Sequence, residues 1–403
     1  MIRSLRGMND ILPPDNVRFE YFLETATAIA RRYGFSYVET PLLEETALFK
    51  RSVGESSDIV GKEMYQFIDK GENDVCLRPE GTAGVVRAFV QNKLDRAGGI
   101  HRYFYHGAMF RYERPQKGRL REFHQFGCES FGVDSVYEDV TIITMIADIL
   151  TALGISYRLK INSLGDQHCM PQYREMLVGF LDKHEEHICE DCARRKATNP
   201  IRVLDCKNDK CQILYKEAPK LMDNLCEACE SDFATLKQLL DEGGIAYEVD
   251  THLVRGLDYY SKTAFEFVSD EIGAQSAVAG GGRYDRLVEF LDGRATPAVG
   301  FAIGIERLLE LIKMPEAVRN GYYMGAMDAE SLPQIMQLAR DKRAGDTVVV
   351  EYAPKGLKAH LKGADRISAR YCVVIGENER NKGKVWIKDL ETKTESVIPA
   401  DQL

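Results

Sequence analysis

Two strand-like segments joined by a long basic loop constrain this chain more than any other feature. Tyr103-Phe104-Tyr105-His106-Gly107-Ala108-Met109-Phe110-Arg111 is rich in aromatic residues, and Glu122-Phe123-His124-Gln125-Phe126-Gly127-Cys128-Glu129 returns with the same character. With the polar stretch Tyr112–Arg121 between them, they read as an antiparallel hairpin. A loop of that length inside a compact domain is usually functional or disordered. Arg111, Arg114, Lys117, Arg119 and Arg121 supply five cations, flanked by Glu113 and Glu122. Such a loop attracts phosphate, and the planar fork of arginine suits phosphoryl oxygens better than lysine does. A solvated surface loop accounts for the same composition.

Around this hairpin the periodicity predicts a helix over Val17–Tyr33, with Phe19, Phe22, Leu23, Ala26, Ile29 and Ala30 at helical spacing. Gly34 stops it, and Phe35–Pro41 reads as a strand ending at a residue that cannot donate to a ladder. A helix over Val136–Leu153 and a strand over Tyr157–Asn162 follow. From about residue 166 to 245 the texture changes to charged helical stretches holding seven of the ten cysteines, which reads as a helical insertion. Strands resume from Tyr247 through Val268 and at Gln275–Ala279; Gly300–Gly304 then runs into a helix to Lys313, and Met314–Gly321 reads as a linker. The remainder alternates: helix Leu332–Lys342, strand Thr347–Glu351, helix Gly356–Ala369, strand Tyr371–Ile375 and a hairpin near Asn381-Lys382-Gly383, a small α/β domain. The expected division is 1–320, with the insertion at 166–245, and 321–403.

A chain of 403 residues with 44% hydrophobic and 29% charged residues is ordinary globular material for two or three domains. No run approaches the length of apolar sequence that a membrane span needs. The basic start, Met1 to Gly7, is not followed by an apolar signal core, so the expected location is cytoplasmic. A net charge of −9 argues against nucleic-acid binding over the whole surface and leaves room for a local basic track. Cysteines in such a chain point to reduced thiols or a metal before disulfides. Cys189-x-x-Cys192 and Cys226-x-x-Cys229 have zinc-like local spacing, with Cys206 and Cys211 between them, although the gap between the pairs exceeds that of common zinc ribbons. Cysteine as a small buried residue explains the same pattern.

Three further motifs carry weaker signals. Leu77-Arg78-Pro79-Glu80-Gly81-Thr82 is a tight turn whose carboxylate and hydroxyl could receive a ligand ammonium; a helix-capping turn would use the same residues. Leu253-Val254-Arg255-Gly256-Leu257-Asp258-Tyr259-Tyr260 sets an arginine before two aromatics, and Gly280-Gly281-Gly282-Arg283-Tyr284-Asp285 lets backbone approach a ligand closely without the dinucleotide spacing. Gly300 to Arg307 places an arginine on the first turn of a helix, where a surface charge is the ordinary explanation.

Together these pieces resemble the histidyl-tRNA synthetase family of class II aminoacyl-tRNA synthetases. Helix, strand and Pro41 look like the first class signature, Phe110-Arg111 within the hairpin like the second, and Gly300–Arg307 like the third. Arg255–Tyr260 and Gly280–Asp285 resemble the pair that marks the histidine-specific members, and Leu77–Thr82 and Phe123–Glu129 match the same family. The resemblance implies an α+β catalytic domain on an antiparallel sheet flanked by helices, a helical insertion and a C-terminal α/β anticodon-binding domain. It implies activation of L-histidine by ATP with Mg²⁺, transfer to tRNA(His), and a homodimer formed through the Pro41 region. Glu80, Thr82 and Gln125 would meet the histidine ammonium, and Glu129 and Tyr260, with Tyr259 beside them, the imidazole. Arg111 and Arg255 would hold the α-phosphoryl group, Arg119 and Arg307 the outer phosphates, and Phe123 with Arg307 the adenine. No side chain stands out as the base of the transfer step, for which the resemblance implies a phosphate oxygen. Gln116 and Arg121 would meet the 5′ end of the tRNA. Lys355, Lys358 and Lys362, at helical steps with Arg366 and Arg370, would track RNA backbone. Two rivals differ in kind: a non-catalytic, histidine-binding regulator of ATP phosphoribosyltransferase, which usually lacks the Arg255 motif and the anticodon-binding domain, and an inactive RNA-binding scaffold.

Overall fold

In the computed structural model the basic loop is carried by two ten-residue strands, His101–Phe110 and Glu122–Phe131, paired antiparallel from His101 opposite Phe131 to Phe110 opposite Glu122. The structure describes residues 2–54, 57, 59–116, 118–206, 208–254, 259–272, 277–315 and 318–403. These fall into two units, Met1–Lys313 and Met314–Leu403.

The hairpin sits inside an eight-stranded sheet in the order Ser36–Tyr37, His101–Phe110, Glu122–Phe131, Ala298–Gly304, Ala277–Arg283, Ser261–Val268, Arg158–Ser163, Tyr247–Val249. Its six central strands pair antiparallel, and both outermost pairs are parallel. The strand after Gly34 is only Ser36–Tyr37, because beyond Val38 the chain turns away toward Pro41.

One face of the sheet is closed by helix Asp15–Arg32, through Phe22, Ala26, Ile29 and Ala30, and by helix Val136–Ala152. Helix Val136–Ala152 starts at an N-cap where Ser135 accepts from the Tyr137 amide, with Glu138 and Asp139 in its first turn complementing the helix dipole. Its Ile142, Ile143, Ile146, Ile149 and Leu150 pack with Phe104, Phe126, Phe265, Phe267 and Phe301 from the sheet. The other face stays open near the loop, where the cavity described below lies.

The cysteine-rich segment contains helices Met170–Lys183, Glu190–Thr198, Asp209–Tyr215 and Glu227–Glu242. The last of these does not belong to an insertion core. Its Phe233, Leu236 and Leu240 join the main core, so the segment's separate core ends at Cys229.

In Met314–Leu403 a five-stranded sheet runs Val348–Glu351, Asn320–Ala326, Ala369–Ile375, Lys384–Asp389, Glu395–Pro399, with the first three parallel. Alternate residues of Ala369–Ile375 feed two cores: Val373 and Ile375 meet Ile335 and Ala339, while Cys372 and Val374 meet Ala364 with Leu357 and Leu361. Two readings of this region change. The stretch expected as a linker, Met314–Gly321, runs at its end into the strand Asn320–Ala326, disguised by Gly321, at φ 61°, and by Gly325. The Asn381-Lys382-Gly383 signal ends the helix Glu377–Asn381 rather than making a hairpin. The hairpin turn lies between Asp389 and Glu395.

Candidate active site

Where the hairpin meets Ala298–Gly304 and Ala277–Arg283, the sheet forms the floor of a cavity that is acidic and phenolic at one end and cationic at the other. Its lining includes Glu80, Thr82, Gln125, Tyr259 and Tyr260, and toward the loop Arg111, Glu113, Arg119, Phe123, Glu266, Glu306 and Arg307. Gly280 and Gly304 lie on its floor.

The acidic end is built on the turn before helix Thr82–Gln91. Buried Glu80 accepts the Thr82 amide at 2.7 Å and the Ala83 amide at 2.9 Å, so the carboxylate takes up the first free donors of that helix. Burial holds its carboxyl above the usual range against the pull of those amides. Beneath it, Glu129 is wholly buried and receives three hydroxyls: Thr82 Oγ1 at 2.7 Å, Tyr105 at 3.3 Å and Tyr284. Burial pushes the Glu129 carboxyl up to about 8, with the hydroxyls opposing. Two buried polar atoms on the cavity wall, Gln125 Oε1 and the Tyr259 hydroxyl, have no hydrogen-bond partner among the described residues. Buried polar groups are rarely left unpaired, so these two are natural contacts for a ligand.

Glycines make this nest possible. A Cβ at Gly300, opposite Glu129 in the ladder, would lie 1.8 Å from Glu129 Oε2. Cβ atoms at Gly81 and Gly127 would lie 2.1 and 2.4 Å from the Tyr105 side chain, which occupies the space between them.

At the cationic end, Arg111 donates from Nε to the Pro79 carbonyl at 2.9 Å, and its guanidinium lies 5.2 Å from the Phe123 ring centroid. Arg119 pairs with Glu113 at 3.1 Å. Arg307 donates to the carbonyls of Gly118 and Ala277, and burial, then the charges of Arg119 and Arg111, hold it below the usual arginine range. Helix Ile305–Leu309 is anchored by Glu306, which accepts both the His124 amide at 2.9 Å and His124 Nδ1 at 2.7 Å. Three guanidinium groups thus share one cavity wall with Glu113, which lies 3.1 Å from Arg119 and 3.9 Å from Arg111, and with Glu266.

Of the residues singled out in the sequence, Glu80, Thr82, Gln125, Tyr259, Tyr260, Arg111, Arg119, Phe123 and Arg307 line this cavity. Glu129 lies behind Thr82. The guanidinium on Phe123 belongs to Arg111, while Arg307 turns to backbone carbonyls. Gln116 forms a bridge with Arg119 across the loop, and Arg121 stacks 3.7 Å from the Tyr112 ring centroid, away from the cavity. Arg255 and Lys117 lie outside the described residues. Lys358 and Lys362 are exposed on helix Leu357–Arg366, whereas Lys355 pairs with Glu351 and Arg370 with Asp389 and Glu391. Tyr105, Tyr284 and Glu266 were not assigned a role from the sequence. A tyrosine facing glycine across an antiparallel ladder, as Tyr105 faces Gly127, is the signal that could have found the first.

The single cysteine set suggested by the two Cys-x-x-Cys pairs is not what forms. Cys189 and Cys192 gather with Cys206 and Cys211, and Cys226 and Cys229 with Asp166 and Cys169. Each pair opens a different helix, and the chain between them returns Cys206 and Cys211 to the first.

An antiparallel sheet flanked by helices, with an arginine-bearing hairpin and an arginine at the first turn of the helix after a glycine-bounded strand, defines a class II aminoacyl-tRNA synthetase catalytic domain. The family model described as histidyl-tRNA synthetase matches residues 7–308, and one described as an anticodon binding domain matches residues 324–403. The chain belongs to the histidyl-tRNA synthetase family. It is 71% identical over 398 residues to the histidine–tRNA ligase of Sulfurimonas denitrificans and 66% identical to that of a Sulfurovum species, each time covering 99% of both chains. Its fold superimposes on apo histidyl-tRNA synthetase from S. aureus with a TM-score of 0.84 at 33% identity, over 100% of this chain and 98% of that one. Among the described residues no helix is long and apolar enough to cross a membrane.

Proposed function

We infer that this chain is a cytoplasmic histidine–tRNA ligase. It joins the carboxylate of L-histidine to the α-phosphate of ATP, releasing pyrophosphate, and passes the histidyl group to the 3′ end of tRNA(His), releasing AMP. The observation that carries this reading is the polarity of one cavity, with a carboxylate–phenol nest at one end and three guanidinium groups at the other. An amino acid and a nucleoside triphosphate laid along it would meet where the charge changes sign.

Glu80, Thr82 and Gln125 receive the histidine ammonium; the unpartnered Gln125 Oε1 supports this. Glu129 and Tyr260, with Tyr259, hold the imidazole. Buried hydrogen-bonding groups of this kind reject ring analogues lacking the partner atoms by about 10⁴–10⁵-fold. Two anions must approach in the activation step, so Arg111 and Arg255 hold the α-phosphoryl group as charge builds there, and Arg119 and Arg307 the outer phosphates. The adenine lies against Phe123, with Arg307 on its other face. Mg²⁺ would be held by Glu113 and Glu266, whose carboxylates border the cavity beside these arginines and are the hard oxygen donors it takes. When bound it would neutralise charge on the outer phosphates.

Gln116 and Arg121 meet the 5′ end of the tRNA, and exposed Lys358 and Lys362, with Lys355, meet its backbone. The unit 321–403 serves as the anticodon-binding domain and 1–320 as the catalytic one, with 166–245 as its insertion. A homodimer through the Pro41 region is part of this reading, supported by Leu42, Leu43, Phe67 and Ile68 standing exposed on and beside the small sheet Leu43–Glu45, Asp74–Leu77, Tyr65–Ile68.

The purified protein should catalyse histidine-dependent exchange of pyrophosphate into ATP. A histidine-binding regulator or an RNA-binding scaffold would show none.

Glu129 makes a second outcome measurable. An ionised carboxylate accepts an imidazole N–H better than a neutral one, so bound histidine favours the deprotonated form. In the free protein the carboxyl keeps its proton until about pH 8, so binding at neutral pH should release protons, and the release should fade as pH rises past that value. Titration calorimetry in buffers of different ionisation enthalpy measures it. Glu129→Gln should abolish the buffer dependence; persistence of the release in that variant would assign it elsewhere.

A further inference from the structure

We propose that the cysteine-rich segment holds two structural zinc ions, one on Cys189, Cys192, Cys206 and Cys211 and the other on Asp166, Cys169, Cys226 and Cys229. Together the two sets use all seven cysteines between residues 166 and 245. Nothing in the catalytic reading requires them.

The ligand atoms of each set converge on a common point. In each set the ligand atoms all lie within 4.8 Å of one another. Four sulfurs about 2.3 Å from a central zinc are separated by about 3.8 Å, whereas a disulfide brings two sulfurs to about 2.05 Å. Cys189 Sγ and Cys206 Sγ are 3.7 Å apart, so they fit an edge of the tetrahedron and not a bond. Replacing one sulfur by a carboxylate oxygen about 2.0 Å from the metal shortens the oxygen–sulfur edge to about 3.5 Å. Asp166 Oδ1 lies 3.5 Å from Cys169 Sγ and 3.8 Å from Cys226 Sγ.

The backbone is arranged for thiolates as well. Sulfur in a neutral thiol is a weak acceptor, yet three amides point at these sulfurs: Cys189 N at Cys211 Sγ, 3.3 Å; Asn208 N at Cys206 Sγ, 3.4 Å; Cys226 N at Cys169 Sγ, 3.1 Å. The two sites also repeat one local design. Cys189 and Cys226 are the N-caps of helices Glu190–Thr198 and Glu227–Glu242, at φ −75°, ψ 162° and φ −73°, ψ 160°, and each is followed three residues later by a buried cysteine in the first turn. Helix N-termini favour the ionised sulfur. On binding, each ligating thiol gives its proton to solvent, and the tetrahedral sulfur-rich sets match zinc in preference to harder cations.

These ions would cross-link a small core in which Cys169, Cys192, Cys206, Cys211 and Cys229 are buried among Tyr173, Leu177, Leu181, Val203, Tyr215 and Leu221. The first site would also brace the chemistry, because Cys189 and Cys206 line a cavity together with Arg111, Glu113 and Arg119 of the basic loop.

Elemental analysis of the full chain purified without chelator should find two zinc per chain. Cys206→Ser should lose one equivalent and Cys169→Ser the other, whereas a single site on the two Cys-x-x-Cys pairs would leave both variants fully loaded. Should either variant fail to fold, Co²⁺ exchanged into the unaltered protein gives an independent reading: two equivalents with thiolate charge-transfer and tetrahedral ligand-field bands. Zinc near zero in a folded protein whose thiols all react freely with a thiol reagent, iron in place of zinc, or one zinc per chain would each overturn the proposal.

Discussion

Arg111→Ala is expected to slow histidine-dependent pyrophosphate exchange by about 10²–10³-fold, mostly in kcat, as removal of one preorganised charge donor from a transition state does. The Arg111 side chain is held from two sides before any substrate arrives: Nε is fixed to the Pro79 carbonyl, and the plane lies on Phe123. It shares the cavity with Arg119 and Arg307, and burial, then the charges of Arg119 and Arg111, depress Arg307, so phosphate oxygens entering there meet clustered cations. In the ground state the α-phosphate carries one charge, and more accumulates on its oxygens as the carboxylate adds. The interaction therefore strengthens along the reaction, which is why the loss should appear in kcat. Arg111→Lys keeps the charge but not the fork, and should recover only part of the rate. A rise in KM for ATP with kcat untouched would limit Arg111 to ground-state binding and remove it from the chemistry. Thermal unfolding of Arg111→Ala should stay close to that of the unaltered chain, since the side chain is partly exposed and closes no core.

The hairpin was legible because its signals are local: aromatic strands on both sides of a polar stretch, with one register compatible with the loop. Nine cavity residues were also legible, but only as motifs in combination; Thr82 alone is indistinguishable from a helix-capping threonine. What escaped depended on contacts across the sheet. Tyr105 and Tyr284 reach Glu129 from opposite directions, 24 and 155 residues away in sequence. Neither spacing carries any periodic trace. The cysteines mark the same limit, because Cys-x-x-Cys spacing reveals a pair but not which distant ligands complete it. In the C-terminal unit, Asn320–Ala326 escaped because its glycines suit a turn as well as they suit a strand that helices cross closely. A Cβ on Gly325 would lie 2.3 Å from the His360 ring.

Arg283 shows the opposite error, and its substitution should have the largest effect on stability. Within the glycine-rich segment it looks like part of a ligand-approach motif, yet its side chain is 2% exposed and turned away from the cavity into the core. There it meets Asp139 at 2.5 and 3.0 Å, Asp285 at 3.1 Å, and the carbonyls of Val133 and Ser135 at 3.0 and 2.9 Å. Thr263 gives Asp139 a further hydroxyl. Four groups thus converge on one guanidinium and tie helix Val136–Ala152 to the strand beneath the site. Arg283→Met should destabilise the catalytic unit by about 3–5 kcal/mol, because it leaves buried Asp139 without its counter-charge. Burial already works against the ionised form of Asp139 and Asp285 even with the arginine present. Urea unfolding followed by far-UV circular dichroism measures the loss, while Trp386, the chain's one tryptophan, reports the C-terminal unit separately. The test of cause is the double variant Arg283→Met with Asp139→Leu, which removes both charges and should recover part of the stability. If the double variant is as unstable as the sum of the singles, the cost comes from lost packing rather than from a stranded carboxylate.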